Sequence, residues 1–487
     1  MKFWKILLFV FSVLAGLCII SIVMPEDGIK IGGVTLEYPS LTEVMSTERD
    51  TTPELSPEEL MEQRLSAIQG ERVEEFRTFC KQNAARIYLP KDNEAYLDPL
   101  FDAMASAKSK QMRIVHYGDS QLECDRISGD LRERFQAEFG GSGVGLVPAL
   151  QTVATYSLAQ STSPSSLGHY LVYGPSDTRI QHSRYGVMGQ MNRVTGGATI
   201  TFRPRDKEKY PHAGPITNIV VMANGQGNMK ATVDSTTVEL TGTKVNDHLS
   251  RFTATLPKSS ADATVSLRVN GTFDIYGIQL DSQKGVTIDN IPMRGCSGTI
   301  FCNIDSMSMA PFYKDENVKL IILQYGGNSV PSINGEKSIA WYMNNLRRQI
   351  VRLKQMAPKA CMLFIGPADM ATRKSGTLQT YPVLPQVIDS LREMSLGQGI
   401  AFWDMYAAMG GRNSIIEWNK ARPQLAGDDY IHFTPKGAKK ISDILYETLQ
   451  FYYKFYRMRT GKENEALKQE LDSIDNAQSK TKEEEKR

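Results

Sequence analysis

The sequence predicts an α/β domain that is interrupted by an antiparallel β-sandwich and preceded by a transmembrane helix. An uncharged apolar run extends from Ile6 to Met24, which is long enough for a helix to cross a bilayer. After residue 284, buried strands alternate with amphipathic helices, and this alternation predicts a parallel sheet covered by helices. Between residues 156 and 283, short alternating runs are separated by Gly, Asn, Asp and Pro, which favours a β-sandwich.

The charges around the apolar run predict its orientation. Lys2 and Lys5 precede the run, and Glu26 and Asp27 follow it. The amino terminus should therefore stay in the cytoplasm while the rest of the chain is exported. We expect residues 1–24 to be an uncleaved signal anchor in the inner membrane, with the later domains facing the periplasm or extracytoplasmic space. A cleaved signal peptide is the alternative.

The composition argues against several classes of function. The 487 residues carry a net charge of +2, which gives no reason to expect a nucleic-acid partner. The six histidines are scattered and no CxxC pair is present, so neither a metal nor a cofactor is predicted. Five cysteines follow the apolar run, and Cys296 and Cys302 are close enough in sequence to form a disulfide.

The segment before the insert should contain a linker, two helices and the first strand. Residues 25–60 are rich in Pro, Thr, Ser and Glu and are predicted to be a linker. Helical spacing follows over residues 57–84 and in "YLDPLFDAMASAKS". The stretch "MRIVHYGDS" predicts a strand from residue 112 that ends in a turn, and "RISGDLRERFQAEFG" predicts the next helix. The Gly-rich "GGSGVG" lacks the lysine of a phosphate-binding loop and is interpreted as an ordinary loop.

The remaining elements define the domain boundaries. Strands of the insert are predicted at "GATITFRP", "TNIVVMAN", "KATVDSTTVEL", "DATVSLRV" and "FDIYGIQL". Beyond the insert, the strands "VKLIILQYGGN", "ACMLFIGP" and "IAFWDMY" alternate with helices, and "TPKGAKKISDILYETLQFYYKFY" is the closing helix. We assign residues 61–155 and 284–458 to the α/β domain and residues 156–283 to the sandwich. The charged tail, residues 459–487, is expected to be disordered.

Four short stretches occur in an order that points to one family. They are "YGDSQ" at the end of the first strand, "NIPMRGCSG" after the insert, "LQYGGNS" after the next strand and "GDDYIHFTPKG" before the last helix. Together they resemble the four blocks of the SGNH (GDSL-type) hydrolase superfamily. The resemblance implies a flavodoxin-like α/β/α fold and assigns roles to Ser120, Gly295, Gly326 with Asn328, and Asp429 with His432. It covers roughly residues 110–155 and 284–455.

The chemistry of these residues is that of a serine nucleophile. A serine hydroxyl needs a neighbouring base to take its proton, and His432 can do so near neutral pH. Asp429 can hold the imidazole in the required tautomer. The resemblance implies an oxyanion hole made by the backbone N–H groups of Ser120 and Gly295 and by the amide of Asn328.

Other residues near these blocks are either alternatives for the same roles or expected to be structural. Gly298 and Gly186 are alternatives to the second-block glycine, whereas Asp428 lacks the family's spacing to the histidine. Arg294 can meet substrate or form a structural ion pair, with equal weight. His116 is expected to pack in its strand, and Trp403 and Asp404 to form a buried strand and its end, with Asp404 bordering the cleft as an alternative.

An exported domain of this kind with a sandwich between its first two blocks is similar to the peptidoglycan O-acetylesterase group. One departure is Cys296, which stands where that group tends to have a small residue. The leading hypothesis is a serine esterase that removes O-acetyl groups from a cell-envelope glycan through an acetyl-enzyme. A glycan O-acetyltransferase with the same triad, supplied by a membrane acyltransferase partner, is the second hypothesis. A non-catalytic glycan-binding protein is the third.

The sandwich is expected to lie beside the active-site cleft, because both of its ends must return to the same sheet. A second contact with a polymeric glycan would raise the local concentration of acetyl groups at the serine. Exposed groups such as Tyr185, Asn192 or Asn224 are the predicted contacts. The alternative is that the sandwich only supports the cleft.

Overall fold

The computed structural model describes residues 3–23, 29–31, 34–36, 56–257, 262–374, 376–469 and 471–474. The chain divides into two compact units. Residues Gln69–Ser473 form the large unit, which holds every candidate site residue, and Met1–Ile68 with Ile474–Arg487 form the other.

The elements are numbered in chain order within the described residues. The helices are α1 (Phe3–Val23), α2 (Pro57–Gln82), α3 (Asp98–Ala105), α4 (Ser128–Phe139), α5 (Ser306–Asp315), α6 (Glu336–Met356), α7 (Leu384–Gly397), α8 (Met405–Met409), α9 (Ser414–Lys420) and α10 (Pro435–Arg459). The strands are β1 (Ile29–Ile31), β2 (Val34–Leu36), β3 (Ile87–Tyr88), β4 (Met112–Gly118), β5 (Gly143–Val147), β6 (Leu158–Ser163), β7 (Gly168–Leu171), β8 (Gln190–Val194), β9 (Gly197–Pro204), β10 (Asn218–Val233), β11 (Thr236–Glu239), β12 (Thr241–Asn246), β13 (Leu249–Thr255), β14 (Val265–Asp281), β15 (Val286–Pro292), β16 (Val318–Gln324), β17 (Cys361–Ile365), β18 (Ala371–Lys374), β19 (Thr377–Thr380) and β20 (Ala401–Trp403).

The central sheet has the order β15-β4-β16-β17-β20-β3 in the described part of the chain. Its first five strands pair in parallel, and β3 adds an antiparallel edge. Along the chain those five strands are second, first, third, fourth and fifth, which is the flavodoxin-like order. The predicted flavodoxin-like fold is therefore confirmed. The order reverses beside β4, and ligands of such sheets bind at the carboxyl edge at that point.

Helices cover both faces of this sheet because its strands are apolar on both sides. In β4, Met112 and Ile114 face one core, whereas Val115 and Tyr117 face the other. The first core is completed by side chains of α3, α4 and α10, and the second by side chains of α5, α6 and α7. The second core also takes in Met188 and Tyr276 of the insert, so the insert packs directly on the α/β domain.

The insert is an antiparallel β-sandwich, as predicted, but its strands differ in two ways. The runs "DATVSLRV" and "FDIYGIQL" form one strand, β14, which pairs along its length with the equally long β10. The interpretation of "GGSGVG" as a loop is wrong in part, because Gly143 begins strand β5 of this sheet. Gly143 has φ 91°, and a Cβ there would lie 2.2 Å from the Leu280 carbonyl oxygen. Only glycine allows the backbones to approach this closely.

A buried ionic cluster joins the two sheets. Arg113 of β4 is fully buried and donates to Asp289 of β15 at 2.6 Å. It also donates to Asp281, the last residue of β14. Asp289 accepts a further hydrogen bond from the Leu146 N–H at 2.8 Å. The end of the insert is thus tied to the two strands of the α/β domain that lead to Ser120 and Gly295.

The terminal segments agree only partly with the sequence-based expectations. Helix α1 is long and apolar enough to cross a membrane. Within the predicted linker, β1 and β2 form a short antiparallel pair, and most other linker residues lie outside the described ones. The expectation of a disordered tail is wrong for residues 464–469, which are helical and bury Leu467. Residues 475–487 lie outside the described part.

Candidate active site

Ser120 lies on a tight turn at the carboxyl end of β4. The turn begins at Gly118, where a Cβ would lie 2.7 Å from Leu122 Cδ1, so a larger residue would displace the chain. The side chain of Asp119 accepts a hydrogen bond from the Gln121 N–H at 2.9 Å and closes the turn. The chain then continues as a short 3₁₀ segment before α4. This is the strand–turn–helix arrangement that exposes a nucleophile at a sheet edge.

Three of the predicted residues meet in hydrogen-bonded order. The Ser120 Oγ lies 2.8 Å from His432 Nε2, although 312 positions separate the two residues. The His432 Nδ1 lies 2.6 Å from Asp429 Oδ2. A proton held between Nδ1 and the carboxylate leaves Nε2 free to accept the serine proton. The structure therefore brings the predicted nucleophile, base and orienting acid together.

Asp429 is held in its ionised form. Burial raises the pKa of this carboxyl group, but hydrogen bonds from the His432 ring, from the His432 N–H and from the Ile431 N–H outweigh burial and lower it overall. The two N–H groups both donate to Oδ1 at 3.0 Å. The neighbouring Asp428 instead accepts from Asn419 and Gln424 at the surface.

Gln121 joins the serine turn to the histidine loop. Its side-chain amide donates to the Ile431 carbonyl at 2.6 Å and accepts from the Phe433 N–H at 3.3 Å. These two bonds bracket His432, so they hold the imidazole at the nucleophile. Sequence analysis gave Gln121 no role, because a Gln after the family's "GDS" carries no signal of a contact 310 positions away.

The predicted oxyanion residues Gly295 and Asn328 lie at the same edge of the sheet as Ser120. Gly295 follows β15 and Asn328 follows β16, the strands on either side of β4. Both residues line the same cavity as Ser120. Gly295 has φ 74°, which favours glycine. The alternatives Gly298 and Gly186 also have positive φ, but a Cβ added at either would lie within 3.0 Å of the Tyr325 or the Tyr276 side chain, and neither residue lines this cavity.

The side-chain amide of Asn328 has two partners within the protein. Its Nδ2 donates to Asp119 Oδ2 at 2.9 Å and to the Cys296 carbonyl at 3.2 Å. An amide nitrogen carries two protons, so Asn328 must redirect one of them before it can donate to a developing oxyanion. The predicted donor therefore lines the cavity, with its amide directed by Asp119 and the Cys296 carbonyl.

Asp119 is an unusual buried carboxyl group beside the nucleophile. Asp119 is 6% exposed, and burial raises the pKa of its carboxyl group from 3.8 to about 6. The hydrogen bonds from Gln121 and Asn328 and the charge of His432 act in the opposite direction. The carboxyl group therefore links the serine turn to the predicted oxyanion donor at a cost in desolvation.

The site opens into a cavity of about 470 Å³. Its lining includes Ser120 and His432, the predicted nucleophile and base, together with Arg126, Arg294, Pro331, Pro367, Met370 and Met405. The side chains of His432 and Asp429 remain 37% and 49% exposed. An open catalytic pair of this kind can approach an ester on a large substrate without a channel.

The remaining candidates have structural partners. Arg294 lines the cavity with a side chain that is 74% exposed, yet both of its terminal contacts are to Glu123, at 2.7 Å. His116 is fully buried between Gln324 and Ser128, and burial lowers its pKa to about 4. Asp404 caps α8 by accepting from the Ala407 N–H rather than bordering the cavity.

Two expectations about exposed groups are wrong. Tyr185 and Asn192 of the sandwich are 4% and 1% exposed, so neither presents a surface to a ligand. Asn192 instead accepts from the Leu150 N–H.

Cys296 is buried, Cys302 is exposed, and the two are not bonded. Within the described residues, no group of three or more His, Cys, Asp or Glu side chains is arranged to hold a metal ion.

Comparison with known proteins gives similarity in structure rather than in sequence. No family model matches the chain, and no curated protein matches it. A solved peptidoglycan O-acetylesterase is similar with a TM-score of 0.60 and 19% identity, over 76% of this chain and 99% of that one.

Two carbohydrate esterases of family two are also similar over part of the chain. The enzyme from Clostridium thermocellum has a TM-score of 0.26 and 9% identity over 60% of this chain and 100% of that one. The enzyme from Cellvibrio japonicus has a TM-score of 0.25 and 8% identity over 61% and 99%. Since such TM-scores do not establish a shared fold, only the first similarity bears on the architecture.

Proposed function

The chain has the SGNH hydrolase fold, and we propose that it is a serine esterase that removes O-acetyl groups from a cell-envelope glycan, with peptidoglycan as the substrate. The observation that carries the proposal is the hydrogen-bonded series Ser120–His432–Asp429 at the mouth of an open cavity. The choice of acetyl ester and of glycan rests on the peptidoglycan O-acetylesterase with which the chain shares its architecture.

The first half of the reaction forms an acetyl-enzyme. The Ser120 Oγ attacks the acetyl carbon, and its proton passes to His432 Nε2. Asp429 stabilises the imidazolium that forms. The carbonyl oxygen becomes an oxyanion, for which the backbone N–H groups of Ser120 and Gly295 and the Asn328 amide are the proposed donors. The bond between the acetyl carbon and the sugar oxygen then breaks, and the imidazolium gives its proton to that departing oxygen, which leaves as the sugar hydroxyl.

The second half releases acetate. A water molecule gives a proton to His432 Nε2 as its oxygen attacks the acetyl carbon on Ser120. The second tetrahedral intermediate collapses, the Oγ–carbon bond breaks, and the proton returns to the serine oxygen. The enzyme is restored and one acetate leaves for each water consumed. A sugar hydroxyl in place of water would give transfer rather than hydrolysis, through the same groups.

The amino-terminal helix supports a location outside the cytoplasm. Helix α1 carries no charge from Ile6 onwards, and Lys2 and Lys5 precede this uncharged run in the sequence. We therefore place the hydrolase domain on the extracytoplasmic side, held by an uncleaved anchor. A glycan of the cell envelope is found on that side. Mass analysis of the mature amino terminus distinguishes the anchor from a cleaved signal.

The test is release of acetate from O-acetylated peptidoglycan and from a small acetyl ester. The wild-type protein should act on both, whereas Ser120→Ala should act on neither while keeping its thermal unfolding profile. Ser128→Ala is the matched control, since Ser128 is a buried serine of α4 outside the cavity. Turnover retained by Ser120→Ala would end the assignment.

Addition of a sugar acceptor distinguishes the two reactions of the same triad. An esterase should release the same acetate with or without acceptor. Acetyl transfer to the acceptor, with a matching decrease in free acetate, would replace hydrolysis by transfer. Binding of the glycan without loss of acetyl groups would leave only the non-catalytic alternative.

A further inference from the structure

A second cavity of about 420 Å³ lies between the sandwich and the hydrolase sheet. On the sandwich side it is formed by β5, β7, β8 and the loop over residues 148–157. On the other side it is formed by the end of β15, the residues that follow it, and Glu123 and Asp125. Its walls are mainly apolar, with Val144, Leu146, Leu158, Leu171, Met188 and Pro292 among them. The volume is within the usual range for small-ligand sites.

This cavity adjoins the catalytic one. Glu123 and Arg294 line both, so their ion pair is the boundary between the two. The neighbouring volumes, about 420 and 470 Å³, are similar. Two adjacent cavities of similar size suit consecutive units of one polymer.

The second cavity presents no uncompensated charge. Glu123 is paired with Arg294, and Asp125 is paired with Arg132 and accepts from Ser157 Oγ at 2.7 Å. Burial lowers the pKa of His169, which favours its neutral form. A charged ligand would lose hydration here without gaining an opposite charge. The ligand is therefore uncharged, with apolar faces for the walls.

Polar groups at the cavity add a second requirement. The amides of Gln151 and Gln190 and the hydroxyl of Tyr173 lie among the lining residues. A sugar ring offers C–H faces to the apolar walls and hydroxyls to the polar side chains among them, whereas a simple hydrocarbon chain would match only the apolar walls. We propose that the second cavity is a subsite for the uncharged sugar unit next to the acetylated one, an inference that rests on the proposed glycan esterase function.

Tyr173 connects this subsite to the catalytic centre. It lines the second cavity, and its hydroxyl donates to the Gly295 carbonyl at 2.6 Å. Gly295 lines the catalytic cavity and is a proposed oxyanion residue. A sugar packed against the Tyr173 ring would hold that residue, and with it the Gly295 peptide, in place. Occupancy should therefore raise kcat as well as lower KM.

The test compares an acetylated monosaccharide with an acetylated oligosaccharide of the same sugar. One well-packed sugar is expected to raise kcat/KM by about 10- to 200-fold, the range for a small group in a pocket. Val153 lines the cavity from an exposed loop, and Val153→Trp should reduce this ratio towards one. Thr243→Trp, at an exposed position on β12 outside the cavity, should keep the wild-type ratio. An unchanged ratio in Val153→Trp, or a wild-type ratio of one, would overturn the subsite.

A second measurement does not depend on turnover. Met188 is 2% exposed and lines the cavity, so its methyl resonance should shift when deacetylated oligosaccharide is added to the Ser120→Ala protein. The Met309 methyl, buried in the core and outside the cavity, should not shift. A shift without acetate release by wild type would reject the esterase and keep the subsite. Absence of the Met188 shift at saturating oligosaccharide would reject the subsite.

Discussion

Replacing Asp119 by Asn should stabilise the protein at neutral pH while slowing its reaction. Asp119 is buried beside the nucleophile, and burial raises its pKa from 3.8 to about 6. Because its folded-state pKa is above the unfolded value, folding strengthens proton binding at this site. The stabilisation that comes from this stronger proton binding is complete below a pH of about 4 and is lost as the pH rises through about 6. Asn does not titrate and avoids this loss.

The size of the effect follows from the two pKa values. The pKa rises from 3.8 to about 6, and each pKa unit corresponds to about 1.36 kcal/mol, so the full difference is about 3 kcal/mol. The unfolding free energy of Asp119→Asn, relative to wild type, should thus increase by about this amount between pH values of about 4 and about 7.5. Other titrating groups are common to both proteins and cancel in the difference.

Activity should change in the opposite direction. The ionised carboxylate accepts from the Asn328 amide and from the Gln121 N–H. A neutral amide accepts more weakly, by about 1 to 1.5 kcal/mol per bond, so kcat should fall by about tenfold. A variant that is more stable and less active would show that Asp119 is kept for positioning rather than for stability.

Urea unfolding over this pH range and steady-state hydrolysis of a small acetyl ester measure the two effects. Asp428→Asn is the control, because Asp428 is at the surface with polar neighbours only. Its unfolding free energy and kcat should stay within the error of wild type. If the unfolding free energies of wild type and Asp119→Asn changed in parallel with pH, or if kcat were unchanged, the account of Asp119 would be refuted.

Three further changes test other parts of the structure. Tyr173→Phe removes the 2.6 Å hydrogen bond to the carbonyl of Gly295, the proposed oxyanion residue, and should lower kcat about tenfold. Tyr156→Phe is the control, because Tyr156 has the same 36% exposure, and it should keep the wild-type kcat. Equal kcat values for the two variants would contradict the proposed effect of Tyr173 on Gly295. Asp429→Asn should lower kcat by about 10³-fold, because the catalytic imidazole loses its acceptor, and Asp428→Asn is again the control in the same assay. Arg113→Met should lower the unfolding free energy by about 3 to 5 kcal/mol in urea titrations, since it strands buried carboxylates; a loss under about 1 kcal/mol would show that the cluster tolerates the change.

The sequence was sufficient to select the three residues that meet at the candidate site, because the family resemblance restricts both residue type and chain order. Ser120 had to follow the first buried strand, and the Asp429–His432 pair had to precede the last helix. The parallel sheet could also be predicted, since "MRIVHYG" and "VKLIILQ" are mostly apolar and place apolar side chains on both faces of the sheet. Strand order then follows from the flavodoxin-like rule rather than from these runs.

What the sequence did not reveal depends on contacts between distant segments. The bond from Asn328 to Asp119 joins residues 209 positions apart, and neither residue type announces it. Tyr173 was overlooked and Tyr185 was preferred, because an alternating strand pattern does not tell which aromatic faces a neighbouring domain. The strand beginning at Gly143 was missed because glycine-rich segments have low strand propensity, and it forms through close backbone approach instead.

The most direct test of the central claim is detection of an acetyl group on Ser120. The protein is mixed with an acetyl ester, quenched in acid within the first turnovers, digested and examined by mass spectrometry. The peptide that contains "YGDSQ" should gain one acetyl group located on Ser120, and the gain should be absent from the His432→Ala protein. Acetate release by wild type without any acetylated Ser120, or with the acetyl group on another residue, would contradict the proposed mechanism.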